Sequence, residues 1–93
     1  MYKLVTTNSS TPWFNDHNGL IFVQIGGTFS SGTATIEVQL PDASETAQAM
    51  EGGAFTSGPA SKEVRLGNRQ PVRITVSGAG SPSLHCLIAP AIP

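Results

Sequence analysis

Residues 33–40 (TATIEVQL) alternate strictly. Ala34, Ile36, Val38 and Leu40 fall on one side of an extended backbone; Thr33, Thr35, Glu37 and Gln39 fall on the other. A period of two marks a half-buried strand. Pro41-Asp42 ends the run, because proline has no N–H for a ladder and Asp favours turns. The same pattern recurs in short, turn-bounded pieces. Val64 and Leu66 alternate with Glu63 and Arg65 before Gly67-Asn68. Val72, Ile74 and Val76 alternate with Arg73, Thr75 and Ser77 before Gly78. Leu84, Cys86 and Ile88 share one face of a last strand, and residues 2–6 read as a first one. Residues 20–25 (LIFVQI) are almost continuously apolar, which predicts a strand covered on both faces. Residues 43–50 (ASETAQAM) favour helix by propensity but lie between strands, so a strand is predicted there, with a short helix as the alternative. About seven short strands predict an all-β chain: a single small antiparallel β-sandwich, jelly-roll or Ig-like.

Two stretches echo each other. Residues 26–40 read GGTFSSGTATIEVQL and residues 52–66 read GGAFTSGPASKEVRL, with nine of fifteen positions identical. Each holds a Gly-Gly turn, an aromatic expected to point inward (Phe29, Phe55), a second Gly turn and an outgoing strand. Two copies are too few for a solenoid, so equivalent corners of two facing sheets are expected.

A chain of 93 residues forms one domain. Its 39% apolar content is too high for a disordered chain, and ten glycines with seven prolines argue against a helical bundle. Charged residues make up only 12%, about half the usual ~25% of a soluble domain, which suggests that part of the surface meets protein. A net charge of −1 argues against nucleic acid as partner. The charge is uneven along the chain. Residues 1–61 carry Lys3 against Asp16, Glu37, Asp42, Glu45 and Glu51; residues 62–93 carry Lys62, Arg65, Arg69 and Arg73 against Glu63. If these halves map to separate faces, the surface is polarised. The single cysteine, Cys86, rules out an internal disulfide. The N-terminus lacks a signal-peptide pattern and no run reaches the ~20 apolar residues of a membrane span, so a cytoplasmic product with no membrane partner is expected.

No constellation for catalysis emerges. Asp16 and His17 are adjacent in a polar loop and expected to be solvated. His85 and Cys86 alternate onto opposite faces of one strand, which excludes a nucleophilic dyad. Two histidines and one cysteine fit no zinc spacing, and each Gly-Gly pair leads into a strand rather than the helix a phosphate loop needs. No enzyme, cofactor or metal is expected. The candidates are interface residues. Trp13 and Phe14 sit in the polar loop of residues 8–18 as an interface anchor or a barrel plug. Trp13 beside Asn15, Asp16 and Asn18 would also suit a carbohydrate-binding module. Arg65 and Arg73 project outward and form one patch if their strands are neighbours; otherwise they pair with glutamates such as Glu37 or Glu63. Pro90 and Ile92 belong to a Pro-rich tail, residues 89–93, which is expected to lie outside the sheets.

The runs GGTFSSGTATIEVQLPD and EVRLGNRQPVRITVSGAG resemble small virion β-sandwich proteins of tailed bacteriophages, over roughly residues 19–90. Where such proteins often carry a Gly-rich hairpin and a Trp after the Pro-Asp, this chain has ASETAQAMEGG. The resemblance implies a structural protein of the capsid-decoration or cement type, made in the bacterial cytoplasm and placed on the capsid surface. It implies a homotrimer bound to the major capsid protein, with extended chain ends that reach a neighbour. A tail or neck component is the alternative within the same class.

Overall fold

The alternating runs become strands. In the computed structural model, which describes residues 1–28, 31–40, 47–56, 59–80 and 82–91, these are β1 (Tyr2–Val5), β2 (Leu20–Thr28), β3 (Thr33–Gln39), β4 (Ala47–Phe55), β5 (Ala60–Arg65), β6 (Val72–Ser77) and β7 (Ser83–Pro90). They form two antiparallel sheets, one in the order β1-β7-β2-β5 and the other β4-β3-β6. Inward side chains fill the space between the sheets. Ile21, Val23 and Ile25 of β2, Leu84, Cys86 and Ile88 of β7, and Val72, Ile74 and Val76 of β6 are all fully or almost fully buried. The fold is therefore the expected small β-sandwich.

The polar loop is a further strand in all but regularity. Residues 9–14 run antiparallel along the outer edge of β6, with isolated bridges Ser10–Thr75 and Phe14–Val72. Val76 N–H donates to Ser9 O at 2.9 Å, Thr11 N–H to Ile74 O at 2.9 Å, and Phe14 and Val72 exchange bonds of 2.8 and 2.9 Å. Pro12 breaks the run, and the buried Thr11 hydroxyl oxygen takes over by accepting from Ile74 N–H at 3.0 Å. Counting this segment, the pairings nest. The first element pairs with the last (β1–β7), the second with the last but one (9–14 with β6), then β2 with β5 and β3 with β4. A single long hairpin rolled over itself in this way is a jelly roll, which decides between the two expected topologies.

The echo has a topological meaning. Its first copy carries the chain from β2 in one sheet to β3 in the other; its second carries it back from β4 to β5. The strand ends that the two copies join lie side by side at one end of the sandwich and the copies run in opposite senses, but the Gly-Gly pairs expected as turns are strand in both, Gly26-Gly27 within β2 and Gly52-Gly53 within β4. Phe55 packs against the core, while Phe29 lies outside the described residues. The first glycine pair does not repeat its conformation: Gly27 takes positive φ in the first copy, Gly52 in the second.

The strand expected over residues 43–50 is present at 47–50, and 43–46 lie outside the described residues. Other expectations change. Gly52-Gly53 does not end that strand but sits inside it. Between Thr35–Ala54 and Glu37–Ala49 the register slips, and four residues of β4 face one of β3. Gly53 lets this bulge pass Ile36, whose Cβ would lie 3.1 Å from an added Cβ. The Pro-rich tail also joins a sheet. Ala89 and Pro90 pair with Phe22 and Ile21 in the middle of the four-stranded sheet. Proline is tolerated because Ile88 N–H donates to Met1 O at 2.8 Å and β1 then runs out, so the missing N–H at Pro90 faces no strand. Residues 2–5 and 83–90 are thus paired within the sheet, so these parts of the expected extended ends are not free to reach a neighbour; positions 92 and 93 lie outside the described residues.

His17 is not solvated either. It is buried; its Nδ1 accepts from Gly19 N–H at 3.0 Å, which leaves Nε2 as the protonated nitrogen donating to Gln70 O at 2.8 Å. This neutral imidazole ties the end of the N-terminal segment to the turn before β6.

Adjacent glycines give a stringent test of the first corner. A Cβ on Gly27, at φ +101°, would meet Ser83 O at 2.1 Å, whereas one on Gly26 meets nothing closer than His85 Cβ at 3.9 Å. Gly27→Ala is expected to cost about 2 kcal/mol or more and to lower Tm by about 8 °C or more. Gly26→Ala is expected to leave Tm within about 3 °C of wild type. Thermal melts of the two variants check this.

Candidate interaction surface

The two outer faces differ in chemistry. On the β1-β7-β2-β5 sheet the register lays outward residues in rows: Leu4, His85 and Gly26; Tyr2, Leu87, Gln24 and Ser61; then Ala89, Phe22 and Glu63; and finally Leu20 and Arg65. Tyr2 and Leu4 stand out at 58% and 43% exposure, and Leu20, Phe22, Leu87 and Ala89 are half-buried. The run LIFVQI was expected to be covered on both faces, but its outward residues have no layer of the chain above them among the described residues. The continuous apolar pattern instead serves a core on one side and an open face on the other.

That face is shaped. The Tyr2 ring stacks on His85 with centroids 5.8 Å apart, and the Tyr2 hydroxyl hydrogen-bonds His85 Nδ1. Beside this pair, above Gly26 and walled by Gln24 and Leu87, lies an open hollow of about 250 Å³. Gly26 makes it by having no side chain at an outward position. The only formal charges on the face, among the described residues, are Glu63 and Arg65 at its β5 margin.

The outer face of β4-β3-β6 is polar and held by a continuous chain of contacts. Arg73 Nε donates to Glu37 Oε1 at 2.8 Å, and the guanidinium lies 4.4 Å from the centre of the Trp13 ring. The Thr75 hydroxyl donates to the same Glu37 oxygen at 2.6 Å, so the Ser10 hydroxyl, 2.8 Å from Thr75 Oγ1, is the donor to Thr75. Burial pushes the Glu37 carboxyl up, but the bonds from Thr75 and Arg73 and the Arg73 charge outweigh it and hold the carboxyl below its usual range.

The interface candidates therefore separate. Trp13 and Arg73 come together on the polar face, and Phe14 packs against the core from the same segment. Arg65 is exposed on the other sheet, so the two arginines do not form one patch. Arg73 is matched by Glu37, and Arg65 lies beside Glu63, so the basic half of the sequence is not one basic face. Pro90 is exposed within β7, and Ile92 lies outside the described residues. Missed from sequence were Tyr2, Leu4 and the Gly26 hollow. The outward positions of the first strand carry Tyr and Leu where a wetted face has polar residues, and that was the available signal.

Cys86 is fully buried and burial pushes its thiol up to about 11, so it is not a nucleophile at neutral pH. Among the described residues, no three of His, Cys, Asp and Glu come together to hold a metal. No family model, no curated protein and no solved structure matches the chain.

The Glu37 cluster makes a signed pH prediction. Its folded pKa lies below the unfolded value, so its stabilisation is present above the usual carboxylate range and is lost as pH falls through it. Glu37→Gln is expected to cost about 1 kcal/mol at pH 7. In urea titrations across pH, the gap between variant and wild type should close on acidification. A gap that stays constant would show that the carboxylate charge contributes nothing.

Proposed function

We propose that this chain is a non-catalytic structural module that works by burying the outer face of β1-β7-β2-β5 against protein, in the manner of a capsid-decoration protein of a tailed bacteriophage. The observation that carries the reading is the apolar centre of that face, free of formal charge among the described residues and rimmed by one Glu and one Arg. Two further points support it. The Gly-Thr-Phe run at residues 27–29 and the V-R-I-x-V-S-G run at 72–78 resemble virion proteins, and the jelly roll is a frame on which viral shell domains are built. The fold alone assigns no function, since lectins use it as well. The sugar-binding reading loses ground on geometry: a guanidinium already lies over the Trp13 ring that a sugar would stack on.

Magnitudes suit a protein that acts in many copies. Four strands about 4.8 Å apart and roughly 25 Å long present a footprint of roughly 500 Å². At about 25 cal/mol per Å² its burial is worth at most ~12 kcal/mol gross, which falls within the ~4–15 kcal/mol cost of association. One contact of this kind is weak, and repetition on a lattice makes it hold.

The test is quantitative mass spectrometry of particles from the organism that encodes the chain. A copy number equal to the major shell protein, or a simple fraction of it, is expected, and Leu4→Asp should reduce incorporation at least tenfold while Tm stays within a few degrees. A handful of copies per particle would move the protein to a tail or neck. Absence from particles would overturn the virion reading.

A further inference from the structure

We propose that the outer face of β1-β7-β2-β5 is covered by the same face of a second copy of the chain, as an isologous dimer. The proposal rests on the reading of that face as one buried against protein, and it names the protein.

Two observations point to a self-match. The first is charge. A partner selected for charge would require a face of one sign, but this face is neutral at its centre and carries Glu63 and Arg65 side by side on β5. The two-fold that seats Leu4 of each copy over Gly26 of the other runs along β7 and leaves β5 outside the overlap, so Glu63 and Arg65 stay at the rim and no like charges are opposed. The second is shape. The face holds both a projection and a depression: Leu4 stands out at its β1 margin, and the Gly26 hollow lies two strands away in the same cross-strand row. In an isologous contact residue i of each copy meets residue j of the other, so one projection and one hollow per face are both used. At about 250 Å³ the hollow is smaller than the ~300–1,000 Å³ of a small-ligand pocket and suits one apolar side chain.

The experiment is sedimentation equilibrium of the purified full chain from about 1 μM to about 1 mM, at pH 7. The expected result is a reversible shift from the 9.7 kDa monomer to twice that mass. Leu4→Asp, which places a charge on the face, and Gly26→Gln, which fills the hollow from a position with room for a side chain, should each weaken association at least tenfold. Ser77→Asp, on the opposite sheet, should not change it. Melting curves accompany each variant, and Gly26→Gln keeps the test open if Leu4→Asp does not fold. A chain that stays at 9.7 kDa throughout overturns the proposal, as does a dimer indifferent to both face variants. A trimer overturns it too, because three copies require a heterologous contact. The broader reading fails separately. If Leu4→Asp enters particles in wild-type numbers, the face is not the docking surface; a strictly monomeric wild type that loses incorporation on Leu4→Asp keeps the docking face and removes only the dimer.

Discussion

β7 lies between β1 and β2, so its backbone groups find partners on both sides only when the two ends of the chain have met. The rest of the four-stranded sheet depends on that meeting. Leu84, Cys86 and Ile88 supply the inward layer opposite β3 and β6, and Ile88 exchanges bonds with Met1, the first residue of the chain. Nested pairing makes almost every ladder a long-range one. Loop-closure entropy has to be met before these contacts return anything, and a topology of this kind folds slowly for its size. Local devices reduce what has to be searched. Asn8 clamps both backbone groups of Ala79, and His17 bonds Gly19 on one side and Gln70 on the other. Each fixes the N-terminal segment against a turn that flanks β6, so the edge of β6 is closed where a free edge would invite another strand.

Where the chain alternates against a single core, the sequence was enough. Residues 33–39 and 72–77 show the buried and half-buried alternation that their side chains predict. Three features escaped for physical reasons. Residues 9–14 hold their place through backbone bonds while Ser9, Ser10 and Thr11 show no apolar alternation and Pro12 breaks the period, so nothing in the pattern marks a strand. Pro90 reads as a terminator, and only the end of β1 opposite Ile88 makes it harmless. Gly52-Gly53 reads as a turn, and only the bulge against Ile36 keeps it in β4. Each depends on a partner distant in sequence, which single-chain periodicity does not contain.

The surface was legible in its tendency and hidden in its location. Low charge pointed to protein contact, and aromatic residue type drew attention to Trp13. In the fold Trp13 is already engaged by Arg73, and Arg73 by Glu37, so the most conspicuous residues of the sequence are spent within the monomer. The open apolar surface is made of residues that the rule for a doubly covered strand assigned to the interior. That rule infers two covered faces from a continuous apolar run. It says nothing about whether the second cover comes from the same chain, and among the described residues the four-stranded sheet has one other sheet to pack on.

That missing cover is the strongest link between this fold and a function. A 93-residue chain has little apolar surface to spare, since its core is thin to begin with. Keeping Leu20, Phe22, Leu87 and Leu4 outside that core weakens the monomer relative to a chain with polar residues there, because their transfer from water is left incomplete. Charged residues at the same positions would also protect the face from unwanted association. On this face the formal charges among the described residues sit at the β5 margin instead. A face that lowers monomer stability and raises the risk of association makes physical sense when its cover arrives on assembly, and then the same residues that burden the monomer stabilise the assembled state.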